Sequence, residues 1–579
     1  MAGSFVLILH THLPYVIRHG RWPHGLQWLC EAGAECYIPL LNQCYDLLDE
    51  GINARITISF SPVLLEQLAD AEFPSLLESY LKERIEAAEG DSRYFKRQPD
   101  EREFVPVALF WRDWYKARLN DFTKRYDRDL VAAFRQLRDR GAIALQTCGA
   151  THGYFPLLGF DESIHAQVQV ALDAHWRHFH HRPRGIWMPE CAYRSGGFRK
   201  PPLSSEDASQ GFRLGVEQVI AAGGMDHTIV DAHVVQAGTP VNWYVAKFKG
   251  DDALPGSSSG LPLSDPRSVY EVYKIHSSVD PSYGSVSVLA RDINTALRVW
   301  SGTSGYPGNP DYLEFHKKHH RSGHRYWRVS DKENDLAKKR MYHPGVADAE
   351  VRKDAEDFVG HITKQLAEYW QTTSREGTVC LPFDTELFGH WWFEGPIFLG
   401  EVIRLLSRDE HVASRTTPEE RDRRGAGLPV TLPEGSWGDG GDHRVWLNQE
   451  TAWTWPVIWR LEREFLELVR SRNRENELEE RGLQQMAREL LLLQSSDWQF
   501  LITTGTAADY ARERFREHIE AFETIAKYVR SLRQSAERLD LFDELCRIEA
   551  CDRLFPNIDL DHWLWKNADE ALAAPREGE

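Results

Sequence analysis

No run in this chain of 579 residues approaches the roughly 18 consecutive apolar residues that a membrane-spanning helix needs. No basic-then-apolar leader opens it either, so a cytoplasmic protein without membrane segments is expected. Cysteine is scarce: eight residues, at 30, 36, 44, 148, 191, 380, 546 and 551, with no CxxC pair among them. That spacing argues against a disulfide scaffold and a thiolate zinc knuckle, and leaves buried free thiols as the expectation. Positive charge is in deficit, with 69 Lys and Arg against 87 Asp and Glu, a formal net charge of −18. Such a surface repels nucleic acid and anionic lipid. It is neutral evidence for an uncharged ligand, and the expected state is a monomer or weak oligomer. GxGxxG after a strand, GxxxxGK[ST], GxSxG and HExxH are all missing. Dinucleotide, P-loop, serine-hydrolase and zincin readings therefore find no support, and no cofactor is expected.

What the chain does have is a series of apolar runs separated by long helical stretches, the alternation of an α/β fold. "FVLIL" leads to His10, and "ARITISFSP" begins at Ala54. "AIALQTC" leads to Gly149-Ala150-Thr151-His152, and "RGIWMP" to Glu190. "DHTIV" leads to Asp231, "SVSVLA" to Arg291-Asp292, and "GTVCLPF" to Asp384. Seven such runs favour a barrel, complete or incomplete, over an open sheet. Six of the seven end on His, Glu, Asp or Arg, and parallel barrels carry their chemistry at strand C-termini. "FPSLLESYLKERIEAAE" and "LVAAFRQLRDRG" show helical apolar spacing between runs.

Three segments interrupt the pattern. Residues 249–266 are rich in turn formers, 316–345 are basic and His-rich, and 416–429 read as a boundary. A His-rich tract can bind metal, but irregular spacing and interleaved lysines favour a solvated loop. Beyond the boundary the sequence is mainly amphipathic helix. The expected division is a catalytic barrel over 1–415, with insertions near 62–140 and 232–281, and a helical C-terminal domain over 416–579.

The chemistry-bearing candidates sit at the run ends. Glu190 in "GIWMPECAYRSG" and Asp384 in "CLPFDTELFGHWWFEGP" could face one cleft. Two such acids are what glycoside cleavage needs, one to attack or stabilise the sugar carbon and one to give and take a proton. The plain alternative is two helix-capping carboxylates. Glu386 and Glu394 are rivals to Asp384. His10 and His12 form an HxH at a strand end, with His152 on another, an arrangement that suits zinc. It equally suits neutral imidazoles that bind sugar hydroxyls, or histidines satisfied in a core. The frequency of Trp nearby favours sugar. Trp22 and Trp28 follow the HTH run, and Trp391 and Trp392 follow Asp384. Trp437, Trp446, Trp453 and Trp455 lie among glycines and acids, where rings suit the apolar faces of pyranoses. Cys191, beside Glu190, has no evident base and is discounted as a nucleophile.

Taken together these stretches resemble glycoside hydrolase family 57, and within it the α-1,4-glucan branching enzymes. The five family motifs have counterparts in "HTHLP", "GATHG", "WMPECAY", "FDTELFGHWW" and "SSDWQF", in order along the chain. Similar further stretches are "ARDINTALRVWSGTSGYPGNPDY", "SWGDGG" with "VWLNQETAWTWP", and "FPNIDLDHW". The resemblance implies an incomplete (β/α)7 barrel with helical insertions and a helical C-terminal domain that contributes to the substrate cleft. It implies Glu190 as nucleophile and Asp384 as acid/base of a retaining reaction, with their carboxyls about 5–6 Å apart. The glucan groove is expected to hold His10, His12, Trp22, Trp28, His152, Asp231, Arg291, Trp300, Trp437, Trp446 and Asp497, with no metal. The implied substrate is α-1,4-glucan such as amylose, amylopectin or glycogen. The implied reaction is transfer to a 6-hydroxyl, with some hydrolysis; an α-amylase or 4-α-glucanotransferase of the same family is the alternative. A zinc-dependent carbohydrate deacetylase or mannosidase-like hydrolase is the more distant one. One departure stands out. Related enzymes carry a loop tyrosine after the run ending at Asp231, where this sequence has Gln236 and Ala237.

Overall fold

The computed structural model describes residues 3–565 except 22–23, 237–266, 276–283, 332–334, 426 and 535–537. The seven apolar runs become seven strands: β1 (Gly3–Thr11), β2 (Ile56–Phe60), β3 (Ile143–Cys148), β4 (Ile186–Trp187), β5 (His227–Val230), β6 (Ser287–Ala290) and β7 (Gly377–Asp384). β7, β1, β2, β3 and β4 hydrogen-bond in that order, all parallel. β5 pairs parallel with β6. Isolated parallel bridges, Gly185 to His227 and Arg291 to Cys380, join these two sheets into a ring. The result is a (β/α)7-type barrel with thin seams. β4 is short because prolines bracket it, at 183 and 189, and proline brings no N–H to a ladder.

Both faces of the strands are covered, which is why they read as unbroken apolar runs. All nine residues of β1 are buried. Alternate residues point inward, where Val6, Ile8, Cys148, Trp187, Ile229, Leu289 and Cys380 form one small cluster that plugs the barrel. The thiols here act as small hydrophobes, and six of the eight cysteines are buried. Four helices, Pro62–Leu68, Phe73–Arg97, Val105–Asn120 and Leu130–Asp139, separate β2 from β3.

The His-rich tract departs from expectation. Residues 316–345 do not form a solvated loop throughout, for His319, His324 and Arg325 are buried. The Arg325 guanidinium donates to Glu35 at 2.7 Å, Tyr326 donates to Asp91 at 2.7 Å, and His324 stacks on Trp111 at 5.7 Å. Each polar group finds a buried acid or ring, Glu35 on the helix after β1 and Asp91 and Trp111 on the inserted helices, so composition alone misleads.

After β7 the helix Thr417–Arg424 stays on the barrel base, where Thr417 N donates to Thr57 Oγ1 at 2.8 Å and Thr378 Oγ1 donates to Glu420 at 2.5 Å. The C-terminal part is helical: Thr454–Arg470, Glu477–Leu493, Asp497–Thr504, Ala508–Arg533 and Leu539–Cys551. It docks on the other end of the barrel. Ser496 N donates to His152 O at 3.0 Å, and a bridge joins Gly153 to Ser495. A buried brace lies behind this contact. His19 meets Asp552 at 2.6 Å, and His518 lies between Glu489 at 2.8 Å and Arg514 at 2.9 Å. Among the described residues no helix is long and apolar enough to cross a membrane.

Candidate active site

Glu190 follows β4 in a single tight turn. It and Cys191 both hold positive φ, 61° and 48°, a region that costs a side-chain-bearing residue about 1–3 kcal/mol. Backbone hydrogen bonds over-determine the turn: Cys191 N to Met188 O at 2.8 Å, and Trp437 N to Glu190 O at 3.0 Å. Gly149 of the neighbouring strand end permits it, since a Cβ there would lie 2.9 Å from the Phe155 ring and 3.2 Å from Pro189 Cγ. The turn presents the carboxyl to two donors. The Trp437 indole Nε1 donates to Oε2 at 2.6 Å, and Ser496 Oγ donates to Oε1 at 3.2 Å. Burial raises the Glu190 pKa to about 7; the Trp437 hydrogen bond opposes the shift, while the charges of Asp384 and Asp497 add to it. The adjacent Cys191 thiol is pushed up by burial, away from a nucleophilic thiolate.

Asp384 ends β7, in register with His10 of β1. Burial lifts its pKa to about 7, Glu386 lifts it further, and His12 and Arg291 pull it down. Among the described residues no side chain donates a hydrogen bond to its carboxyl. The two acids are therefore unlike: donors that favour the charged form surround Glu190, and a like charge that favours the neutral form sits beside Asp384. Both acids are pushed up to about 7, and of the two only Glu190 has side-chain donors among the described residues. Of the rivals, Glu386 is buried and accepts from Tyr37 Oη at 2.7 Å. Glu394 accepts from Tyr342 Oη at 2.8 Å and Leu313 N at 3.0 Å, and stands at the N-terminus of helix Gly395–Leu406. It is the structural carboxylate.

The three histidines meet. His12 stacks on His152 at 3.9 Å, and His10 on Trp187 at 4.6 Å. His10 Nε2 lies 3.0 Å from His152 Nε2, and His152 Nδ1 lies 2.8 Å from Ser496 Oγ. His12 spans Ser61 Oγ at 2.8 Å and Asp497 at 3.0 Å. Burial lowers the pKa values of His10 and His152, that of His10 with help from His152 and His12, and that of His152 with help from His12 against the opposing charge of Asp497. Asp497 is held at about 2: burial opposes ionisation, but His12, His152 and Ser495 outweigh it. His10, Cys148 and His152, or His12, His152 and Asp497, have ligand atoms close enough to surround a metal ion. In this geometry their facing nitrogens are engaged in hydrogen bonds. The same side chains can also hydrogen-bond sugar hydroxyls.

Among the aromatics, Trp437 crosses Trp187 at 5.0 Å and carries the Arg291 guanidinium at 5.5 Å over its ring. Arg291 is itself held bidentate by Asp231, at 2.9 and 2.6 Å. Burial disfavours the Asp231 charge, yet Arg291 and His233 keep its pKa near the floor, at about 2. This buried pair supports the Trp437 ring from behind. Trp300 is 6.5 Å from Trp437 and 6.4 Å from Trp391, whose side chain is 42% exposed. Trp28 is half-buried near His24. Trp22 and the position sought for a loop tyrosine after Gln236 lie outside the described residues. Trp446 departs from the expected groove position. It is 1% exposed and stacks on Tyr154 at 4.4 Å, in space that Gly438 leaves open. Trp455 is buried too, so of the 437–455 cluster Trp437 reaches the acids while Trp446 and Trp455 pack.

Sequence reasoning missed Ser496, Ser61 and Trp187, which touch the acids or histidines, and left Trp391 without a role. The serine of "SSDW" was open to view beside Asp497, but a serine carries no signal until its partners are placed.

Residues 6–423 match glycosyl hydrolase family 57, and residues 458–563 match the C-terminal region of 1,4-alpha-glucan branching enzymes. A 1,4-alpha-glucan branching enzyme of Thermococcus kodakarensis is 37% identical over 94% of this chain and 76% of its own. A probable 1,4-alpha-glucan branching enzyme of Mycobacterium tuberculosis is 31% identical over 93% and 94% of the two chains. Among solved structures, a GH57-type branching enzyme of Pyrococcus horikoshii superposes with a TM-score of 0.87 at 36% identity, covering 98% of each chain. An alpha-amylase of Thermotoga maritima superposes with a TM-score of 0.78 at 28% identity, over 98% of this chain and 100% of its own. This chain belongs to glycosyl hydrolase family 57.

Proposed function

We propose that the protein is a 1,4-α-glucan branching enzyme: it cleaves α-1,4-glucan with retention and transfers the chain held on the nucleophile to a 6-hydroxyl of another glucan. The observation that carries this reading is the unlike pair of acids. Glu190, ionised by its two donors, attacks the anomeric carbon, while Asp384 gives its proton to the departing 4-oxygen. The glucosyl ester on Glu190 and the Asp384 carboxylate are the products of that half-reaction. Asp384 then takes the proton from an incoming 6-hydroxyl, whose oxygen displaces Glu190 and restores both groups. His10, His12 and His152, all hydrogen-bonded, orient sugar hydroxyls, and Trp28, Trp300 and Trp437 supply apolar platforms. A platform that holds an acceptor chain raises its effective concentration over water, and this ratio sets branching against hydrolysis. Trp437 couples the two tasks, since one indole both faces the sugar and donates to the nucleophile.

Full-length similarity to branching enzymes supports transfer as the main outcome; the absence of tyrosine at Gln236 favours some hydrolysis beside it. The reading places the protein on cytoplasmic glucan as a monomer or weak oligomer, with the barrel and the helical region acting as two units of one cleft. It is tested by rapid quench with a maltooligosaccharyl fluoride. The peptide containing Glu190 gains the mass of a glycosyl group; a label on another residue, or none in a protein that turns over, defeats it.

A further inference from the structure

The site contains a hydrogen-bonded chain that the double displacement does not by itself require. It runs from His10 Nε2 to His152 Nε2 at 3.0 Å, from His152 Nδ1 to Ser496 Oγ at 2.8 Å, and from Ser496 Oγ to Glu190 Oε1 at 3.2 Å. Its direction follows from its end. An ionised carboxylate can only accept, so Ser496 donates its proton to Glu190 and its oxygen must accept from His152 Nδ1–H. A neutral imidazole carries one proton, so His152 Nε2 is then an acceptor, and His10 must donate to it from Nε2. His10 Nδ1 is left as an acceptor, and it is the buried atom of that ring with no hydrogen-bond partner among the described residues. One carboxylate thus fixes two tautomers.

Ser496 is fully buried and stands at the N-terminus of helix Asp497–Thr504, where a serine would ordinarily cap its own helix. Its hydroxyl makes no such cap. It turns toward the acid instead. The backbone around it is fixed independently, with Ser496 N on His152 O at 3.0 Å and Phe500 N on Ser496 O at 3.1 Å.

We infer that Ser496 is a positioning residue for the nucleophile, by which the helical C-terminal region holds Glu190 ionised and sets the tautomers of His152 and His10. This rests on the assignment of Glu190 as nucleophile. The inference makes the helical region part of the catalytic charge arrangement as well as a wall of the cleft. It also leaves His10 Nδ1 as a buried acceptor, because the chain consumes the proton on the other nitrogen. The titratable groups facing Glu190 are Asp384 from β7, His12 from β1, His152 beyond β3, and Asp497 beside Ser496. None of them donates a hydrogen bond to the Glu190 carboxyl; His152 Nδ1 lies beyond hydrogen-bond reach, 3.9 Å from Oε1.

The test is the pH dependence of kcat/KM on amylose for Ser496→Ala, Ser496→Thr and Ser496→Val, with Glu190→Gln alongside. A hydrogen bond to a carboxylate lowers its pKa, so loss of the hydroxyl moves the acid limb up, by about one pH unit. The Ala and Val variants are expected to show that shift and a roughly tenfold loss at the wild-type acid limb, while Thr, which keeps a hydroxyl, returns the limb to its wild-type place. If Ala does not fold, the Thr and Val pair, nearly equal in shape, decides. Acid limbs that coincide in Thr and Val, with both folded, overturn the inference. A Glu190→Gln variant that retains turnover defeats the nucleophile assignment instead, so the two failures are distinct.

Discussion

Trp437→Phe removes a single proton donor. The substitution keeps a six-membered aromatic ring between Trp187 and the Arg291 guanidinium, and removes the smaller half of the indole together with the Nε1–H that reaches Glu190 Oε2 at 2.6 Å. A short hydrogen bond to a charged group contributes about 1.5–3 kcal/mol. At 1.36 kcal/mol per unit this is a rise of about one to two units in the Glu190 pKa. That group already lies at about 7, because burial outweighs its donors. The sign is fixed by which form works: the carboxylate attacks, so activity is lost as pH falls below its pKa. Removing the donor moves the acid limb of kcat/KM up, while the alkaline limb, set by the Asp384 proton, stays. The bell narrows from the acid side, and activity at pH 6 falls about ten- to a hundredfold. The assay is initial-rate cleavage of amylose between pH 5 and 9, with folding checked by circular dichroism. An unchanged acid limb in a folded variant would refute the charge arrangement described for Glu190.

Asp384→Asn should abolish turnover of amylose but still release a burst of fluoride from a maltooligosaccharyl fluoride and accumulate the glycosyl ester, since that leaving group needs no proton while the second step lacks its base; loss of the burst as well would remove Asp384 from the acid role. Chelator dialysis should leave amylose cleavage unchanged, because the histidine nitrogens that face one another are engaged in hydrogen bonds; metal-restorable loss would contradict this. Two tryptophans should part company. Trp391→Ala should raise KM for long glucans with little change in melting temperature, since the ring is exposed in the cleft, whereas buried Trp446→Ala should cost about 3–5 kcal/mol of stability. The reverse pattern, read by thermal unfolding and kinetics, would overturn both placements.

The barrel was open to sequence reading because its strands are covered on both faces. "FVLIL" and "GTVCLPF" are therefore unbroken apolar runs, and their ends mark the rim where Asp384 and the histidines stand. Glu190 stands at such a run end too, although its strand has only two residues. What stayed hidden depends on contacts across long sequence separations. His319 and Arg325 look solvated until Asp91 and Glu35 are brought to them, and Trp446 looks like a platform until Tyr154 stacks on it. Ser496 is hidden most deeply, since its hydroxyl acquires meaning only beside Glu190, 306 residues away.

The central claim is that the glucosyl unit on Glu190 passes chiefly to a sugar hydroxyl. Proton NMR of amylose incubated with the wild-type protein follows α-1,4, α-1,6 and reducing-end anomeric signals together in one tube. Growth of α-1,6 signal beyond the growth of reducing ends, abolished in Glu190→Gln, is the expected result. Reducing ends that accumulate with no α-1,6 signal would contradict the claim and leave a hydrolase on the same barrel.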